Sequence, residues 1–414
     1  DGNDAAKRIG ETTDLSISKL PFLSMSNADS SLVLIAGIPM DSAVVFVHRT
    51  EFNSATSTLN INFDFALSML PAEFPATAPF SFVLACAQGT TDNPFRTALQ
   101  RYYDIQPDVY SWENRQHDQG LWLPFINDLN SIEDWQDFGF RYHEGATSNA
   151  SQSRQLNNAG IAILPYIEPH ISGFPLPHGL AASYENVNET LHDCLQRPQD
   201  YGGLQCDTPC VANPPSENCD YKKAGEPLPS NGYFTSGGVA CAAIKCRQIL
   251  ADAVLDANKQ MVFDAEDTAW NVGALFYPSV EERSLRAEQQ LAIVENYYRD
   301  AVDGNYSVEG IYIDSTIAGF ALLNFEEQSL RETKHPLVFD VDSRPAVLYA
   351  QTLHSFFRSL KAAMRHHGGS ALLMGNGINC YYGSFGMAGL FDIAGTEDDW
   401  QRQRGSIEPP SRAS

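Results

Sequence analysis

Between Val308 and Trp400 three apolar runs each end in acidic residues, and no other pattern limits the possible folds as strongly. The runs are Val308-Glu309-Gly310-Ile311-Tyr312-Ile313-Asp314-Ser315, Pro336-Leu337-Val338-Phe339-Asp340-Val341-Asp342 and Leu390-Phe391-Asp392-Ile393-Ala394-Gly395-Thr396-Glu397-Asp398-Asp399-Trp400. An apolar run of strand length, bounded by turn residues, reads as a strand buried on both faces, the pattern of a parallel sheet. Parallel α/β folds build their sites outside the carboxyl ends of the strands, so acids at several such ends point to one shared cleft. One acid after one strand is an ordinary N-cap for the next helix. Asp314 and Glu397 together, with Trp400 beside the acidic cluster, favour chemistry over capping.

A strand-then-helix rhythm begins at Asp137. Phe138-Gly139-Phe140-Arg141-Tyr142-His143-Glu144 and the run ending Tyr166-Ile167-Glu168-Pro169-His170 each deliver a carboxylate, and helices are expected over 239–257, 280–300 and 346–366. The strand ends are then Glu144, Glu168, the Asp264 region, Asp314, Asp340, Asn376 and Glu397; one further unit would close a TIM-type (β/α)8 barrel. No Gly-rich phosphate loop follows an early strand, which disfavours a doubly wound nucleotide fold. Short strands expected at 32–36, 43–47, 59–65 and 80–84 indicate an antiparallel β domain ahead of the barrel. The expected organisation is an antiparallel β domain at 1–92, a helical linker at 93–136 and a barrel at 137–414 that carries a Cys-rich insertion at 172–240. A helix starting at Pro94 with Asn93 as its cap opens the linker, and packing between domains is the favoured role for Trp112, Trp122 and Trp135.

The chain carries 27 basic and 51 acidic residues, a formal charge of −24. Such a surface repels phosphate backbones and anionic membranes, so nucleic acid is excluded as the expected partner. No uninterrupted apolar run reaches membrane-spanning length. Of eight cysteines, Cys194, Cys206, Cys210, Cys219, Cys241 and Cys246 fall within one short segment. The Cys206-x3-Cys210 and Cys241-x4-Cys246 spacings, with no histidine at ligand distance, favour disulfides over zinc, and disulfides rather than a core are expected to hold the insertion. Sequons at Asn149, Asn188 and Asn305 agree with an oxidising route, and the start at Asp1 without a leader reads as a processed product or a fragment. A secreted, extracellular or lumenal glycoprotein is expected.

Two carboxylates facing across a cleft can run glycoside hydrolysis, one attacking or activating water and the other donating a proton to the leaving oxygen. Asp314 is the candidate nucleophile; Glu397 is the candidate acid/base and Asp398 its close rival. Arg344, Trp400, Trp270, Tyr312 and Asn376, with Asp340, Glu144 and Glu168, are the candidates for holding hydroxyls or stacking on sugar rings. No cofactor is required. His143 with Glu144 and Glu168 with His170 lack a third convincing metal ligand, and a Ca2+ ion on Asp340, Asp342 and backbone oxygens is the one cofactor left open. The His366-His367 pair suits the end of a helix better than a metal. No Gly-x-Ser-x-Gly elbow supports a serine hydrolase.

A β-rich region leading through Arg96-Thr97-Ala98-Leu99-Gln100-Arg101-Tyr102-Tyr103 into strand ends such as Gly310 to Asp314 and Gly395 to Glu397 resembles the β-sandwich plus barrel glycoside hydrolases, broadly the α-galactosidase and endo-α-N-acetylgalactosaminidase relatives. That resemblance implies a strand-end Asp as nucleophile, a later strand-end acid as acid/base, and a glycan substrate. In some relatives the acid/base sits on the strand soon after the nucleophile, where this chain has Gly375-Asn376-Gly377. Asn376 cannot donate a proton as an acid does. The rival expectation is therefore a structural or carbohydrate-binding glycoprotein of an extracellular assembly, built on the hydrolase scaffold without turnover.

Overall fold

The computed structural model describes residues 22–26, 31–39, 47–53, 55–64, 81–88, 93–107, 120–124, 126, 128–145, 149–174, 180–181, 183–201, 239–265, 272–275, 284–316, 323–340, 342–368, 371–376, 387 and 389–395. The first unit is antiparallel, as expected. β1 (Phe22–Ser26), β2 (Leu32–Gly37) and the later strand β5 (Val83–Gln88) form one sheet, while β3 (Val47–Asn53) and β4 (Thr58–Asp64) pair as a hairpin. Along β5, half-buried Val83, Ala85 and Ala87 alternate with exposed Leu84, Cys86 and Gln88, so one face is covered and one is wet. The cover is α1 (Pro94–Asp104), started by Asn93, whose side chain accepts from Arg96 N, and by Pro94 in the first turn. Its buried Ala98 and Tyr102 pack on Phe22, Val33 and Ile35, and the Phe22 and Tyr102 rings stack at 4.8 Å.

The strand-helix rhythm then sets in. β6 (Leu121–Leu123) pairs in parallel with β7 (Phe140–Glu144), and α2 (Ala150–Asn158) leads to β8 (Ala162–Leu164), which pairs in parallel with β7. Pro165 separates β8 from β9 (Tyr166–Ile167), and the two act as one interrupted strand. An excursion follows, with β10 (Ile171–Phe174), α3 (Tyr184–Gln196), α4 (Val239–Asp252), β11 (Phe263–Ala265) and β12 (Val272–Leu275). The chain returns through α5 (Leu285–Gly304), capped by Ser284, to β13 (Gly310–Ile313). A second excursion holds β14 (Leu323–Asn324), α6 (Glu327–Glu332), β15 (Val338–Phe339) and β16 (Pro345–Leu348). α7 (Tyr349–His366), β17 (Leu372–Asn376) and β18 (Ile393–Gly395) complete the described residues.

β9, β13, β17 and β18 are neighbours in parallel register. Hydrogen bonds from Glu309 N to Ile163 O, Tyr312 N to Pro165 O and Asp314 N to Ile167 O join β13 to the whole β8–β9 run. The parallel strands thus lie side by side in chain order, the order of a (β/α)8 barrel and not of a doubly wound sheet with a switch point. No strand among the described residues joins β18 back to β6, so the closed barrel expected from sequence is not present among them. β13 and β17 approach closely at Gly310, where a Cβ would sit 1.9 Å from Leu372 O.

Two expected parallel strands belong elsewhere. The run ending at Asp340 turns straight back into β16, and the Asp264 run pairs with β12, both antiparallel. A parallel return needs a crossover of a dozen residues or more, and each of these connections is far shorter. The expected helix at 346–366 accordingly begins at Tyr349, because Ala346, Val347 and Leu348 are strand.

The strands are buried on both faces. Ile311, Ile313 and Leu373 join a large cluster with Val294, Leu353, Phe356, Phe357 and Leu360 from the covering helices, whereas Tyr142, Leu164, Tyr312, Leu372 and Met374 form a separate cluster on the other face. Burying each such large side chain stabilises by about 1.5–3 kcal/mol. The first excursion has its own core: Val187, Leu191 and Cys194 of α3 meet Cys246 and Ile249 of α4, with Ala253 and Met261. The Cys194–Cys246 disulfide crosses it. The expectation of staples without a core is corrected on this point.

Candidate active site

A two-residue period in a strand puts positions i and i+2 on one face. Three neighbouring strands repeat a tyrosine and an acid at that spacing: Tyr142-His143-Glu144, Tyr166-Ile167-Glu168 and Tyr312-Ile313-Asp314. β9 and β13 pair Tyr166 with Tyr312, so their acids emerge side by side at the carboxyl ends. Glu144 is buried and lies in register with Leu164, further back along the same run.

Asp314 is half-buried and receives four donors, all of them neutral. Oδ2 accepts from the Tyr166 hydroxyl at 2.9 Å. Oδ1 accepts from Tyr312 Oη at 3.2 Å, Ser315 N at 2.8 Å and Asn376 Nδ2 at 2.8 Å. No salt bridge reaches Asp314 among the described residues. Neutral donors orient and stabilise the anion without the near-cancellation of charge that a guanidinium brings. Asn376, at the end of β17, donates to Asp314 through its amide and so helps to orient the carboxyl group. The backbone turns sharply at Ser315, a non-glycine residue with φ of 48°, a conformation that concentrates at functional sites.

Glu168 stands on the adjacent strand, half-buried, with Oε2 3.3 Å from the same Tyr166 hydroxyl. The backbone beyond β9 is pinned from the covering helices. Tyr297 Oη donates to Tyr166 O at 3.1 Å, Arg286 donates to Glu168 O and, through Nε, to Pro169 O at 3.0 Å, and Tyr349 Oη donates to His170 O at 3.3 Å. Trp122, Tyr312 and Tyr166 form a row of rings, with centroids 5.3 and 5.6 Å apart. Such bracing holds side chains in one geometry before a ligand arrives.

His170 is buried beside this corner. Burial, and next the Arg286 charge, hold its pKa down at about 4 against the pull of Asp314. His143 is likewise pushed down to about 4 by burial, opposed by the Ile126 backbone. Both are neutral at ordinary pH. No three His, Cys, Asp or Glu side chains gather into a metal site among the described residues.

The remaining sequence candidates fall in several places. Asp340 and Arg344 bind each other: Nε donates to Oδ2 at 2.7 Å, Arg344 N to Oδ1 at 2.8 Å, and Asp342 N to Oδ1 at 3.0 Å. They close a hairpin turn. In the third acidic run, Asp392 pairs with Lys361 at 2.8 Å and accepts from Leu373 N at 2.9 Å. His367 Nε2 lies 2.8 Å from Glu295 Oε2, and its ring stacks on Tyr298. Asn149 caps α2 and Asn305 ends α5, both exposed, while Asn188 is half-buried within α3. Glu397, Asp398, Trp400, Trp270, Cys206, Cys210 and Cys219 lie outside the described residues, as does the side chain of Cys241. Tyr166 is the site residue that sequence reasoning missed; its two-residue offset from Glu168, matched by Tyr312 and Asp314, was the available signal.

No family model matches the chain, and no curated protein matches it. Among solved structures it is similar to a cycloalternan-degrading enzyme from Trueperella pyogenes, at 9% identity over 86% of this chain and 43% of that one, with a TM-score of 0.39. It is also similar to an α-galactosidase from Thermus thermophilus, at 10% identity over 90% of this chain and 55% of that one, TM-score 0.38. An α-galactosidase from Lactobacillus brevis gives 11% identity over 92% and 43% of the two chains, TM-score 0.39. The chain spans about half the length of the solved structures it resembles.

Proposed function

We propose that the chain is a secreted glycoside hydrolase acting on a complex glycan, with Asp314 attacking the anomeric carbon. The observation that supports this most is the setting of Asp314: a half-buried carboxylate at a parallel strand end, fixed by Tyr166, Tyr312, Asn376 and Ser315 N, with no cation against it among the described residues. Those donors point the oxygens and leave the charge available for a developing cation. Sequence supplies Glu397, or Asp398, as the proton donor, with Trp270 and Trp400 as stacking residues. The Cys194–Cys246 disulfide and the exposed sequons at Asn149 and Asn305 support the secretory route. Asn376 supports the second reading, a carbohydrate-binding glycoprotein of an extracellular assembly without turnover.

The test is hydrolysis of a panel of aryl glycosides and complex glycans by wild type, Asp314→Asn and Glu397→Gln. Asp314→Asn is expected to lower kcat by about 10⁴-fold or more. Absence of wild-type turnover on every glycan would favour the second reading, and unchanged turnover in Asp314→Asn would remove the site.

A further inference from the structure

At the end of β9 the chain leaves the sheet, yet every carbonyl from Tyr166 to His170 meets a donor. Ile167 O takes the N–H of Asp314 at 3.1 Å. The others take side chains of the covering helices: Tyr297 Oη on Tyr166 O at 3.1 Å, Arg286 on Glu168 O and, through Nε, on Pro169 O at 3.0 Å, and Tyr349 Oη on His170 O at 3.3 Å. Pro169 has no N–H and cannot extend a ladder, so the guanidinium does for two carbonyls what a neighbouring strand would do. Its rigid fork fixes both peptide planes that flank Pro169, which a single ammonium cannot. The stretch so held is the one that presents Ile167 O and the Tyr166 hydroxyl to Asp314.

Arg286 is buried and is itself held from the first excursion. Its N–H donates to Asp252 Oδ2 at 2.6 Å. Its Nη1 donates to Gln289 Oε1 at 3.1 Å, and the same oxygen accepts from Gln248 Nε2 at 2.5 Å. Gln248 and Asp252 stand at i and i+4 on α4, Arg286 and Gln289 at i and i+3 on α5, so each pair shares a helix face. Cys246, on the same helix as Gln248, ties α4 to α3 through the disulfide with Cys194. Hydrogen bonds therefore run without a break from the excursion to the strand end beside Asp314. We propose that Arg286 is a positioning residue for Asp314, acting through the end of β9, and that α4 of the excursion governs the rate of the reaction through Arg286. This deepens the reading of the chain as a glycoside hydrolase with Asp314 as nucleophile, and it rests on that reading. The excursion is then part of the scaffold of the site: α4 holds the guanidinium, the guanidinium holds the carbonyls, and their strand aims the carboxylate.

One measurement needs no substrate. In Arg286→Lys, amide hydrogen exchange between Tyr166 and His170 should speed up about tenfold or more, while β17 and the later turns of α5 exchange as in the wild type. Unchanged exchange in that stretch overturns the hold on β9. If Arg286→Lys does not fold, Gln248→Ala carries the same test, because it leaves the guanidinium in place and removes only the donor that steadies Gln289. The second measurement uses whichever aryl glycoside the wild type turns over, with rates referred to folded protein. Arg286→Lys should lower kcat about 10–100-fold with a smaller change in KM, the mark of a misplaced nucleophile. Gln248→Ala should lower kcat about threefold in the wild type and change it no further in Arg286→Lys, since both act along one chain of contacts. Wild-type kcat in Arg286→Lys, as a purely structural role would leave it, or equal effects of Gln248→Ala in both backgrounds, overturns the proposal. A protein that hydrolyses no glycoside but shows the local change in exchange sinks the hydrolase reading, and with it the effect on rate, while the hold of Arg286 on the strand end stands.

Discussion

Asp314 and Asp340 each end an apolar run, and in sequence the two look alike. Their surroundings differ in one respect that decides their use. Asp340 is met by the Arg344 guanidinium, with its nearer nitrogen at 2.6 Å, and by two backbone N–H groups; burial pushes the carboxyl up, but these partners outweigh it and hold the pKa below the usual range. Asp314 is met by two phenols, an amide and one backbone N–H. A charged partner turns a strand-end acid into a clasp for a hairpin, whereas neutral partners position it and leave its charge unspent.

The largest expected effect is a double dissociation. Asp314→Asn should lower kcat by about 10⁴-fold while costing under about 1 kcal/mol of stability, because the tyrosine hydroxyls around it can rotate to accept from the new amide. Asp340→Asn should leave kcat unchanged and cost about 2 kcal/mol, the loss of a charged acceptor from a guanidinium and two N–H groups. Rates on an aryl glycoside and urea midpoints on the same preparations measure both. Equal stability losses in the two variants would break the contrast.

Much of this difference was hidden in the sequence for a physical reason. Apolar runs identified β13, β17 and β18, and alternation identified the antiparallel unit, since both follow from which faces are buried. The Asp340 run reads as a member of the parallel set because a strand buried on both faces looks the same in sequence whether its neighbour is parallel or antiparallel. The discriminating fact was the short connection from Asp340 to Arg344, which permits only a hairpin. At the site, Asp314, Tyr312, Asn376 and Glu168 were all legible as strand-end residues. The contact between Tyr166 and two carboxylates was not, because it depends on the register that sets β9 beside β13 across a long excursion.

Asp252 extends the comparison to a carboxylate whose burial outweighs its donors. It accepts from Arg286 N at 2.6 Å at the start of α5, yet burial pushes its pKa up to about 7 against the pull of the Arg286 N–H and guanidinium. The folded state therefore holds this proton more tightly than the unfolded chain. The resulting stability is complete below about pH 4 and is lost as pH rises towards 7, by on the order of 2–4 kcal/mol. His143 and His170 slope the other way: with folded values of about 4 against 6.5 when unfolded, their contribution is present above pH 6.5 and is lost as pH falls towards 4. Asp252→Asn should remove only the first limb, so its stability relative to wild type should rise between pH 4.5 and 7.5. A difference in urea midpoint that stays constant across that range would mean the carboxylate is already neutralised by Arg286.

The smallest effect separates charge from geometry in the Asp340 clasp. Arg344 is 46% exposed on its side chain, so its Coulomb attraction is partly screened, and two of the four contacts to the Asp340 carboxylate come from backbone N–H groups that any residue supplies. Arg344→Ala should thus lower the thermal midpoint by less than Asp340→Asn does, and Arg344→Lys, which keeps the charge but loses the planar fork that also lies 5.7 Å over the Phe325 ring, should recover less than half of that loss. Thermal midpoints at low and high salt separate the two contributions. If Arg344→Lys restored the full stability, charge alone would close the turn, and replacing the neutral donors around Asp314 by a lysine would be expected to make that corner a second clasp.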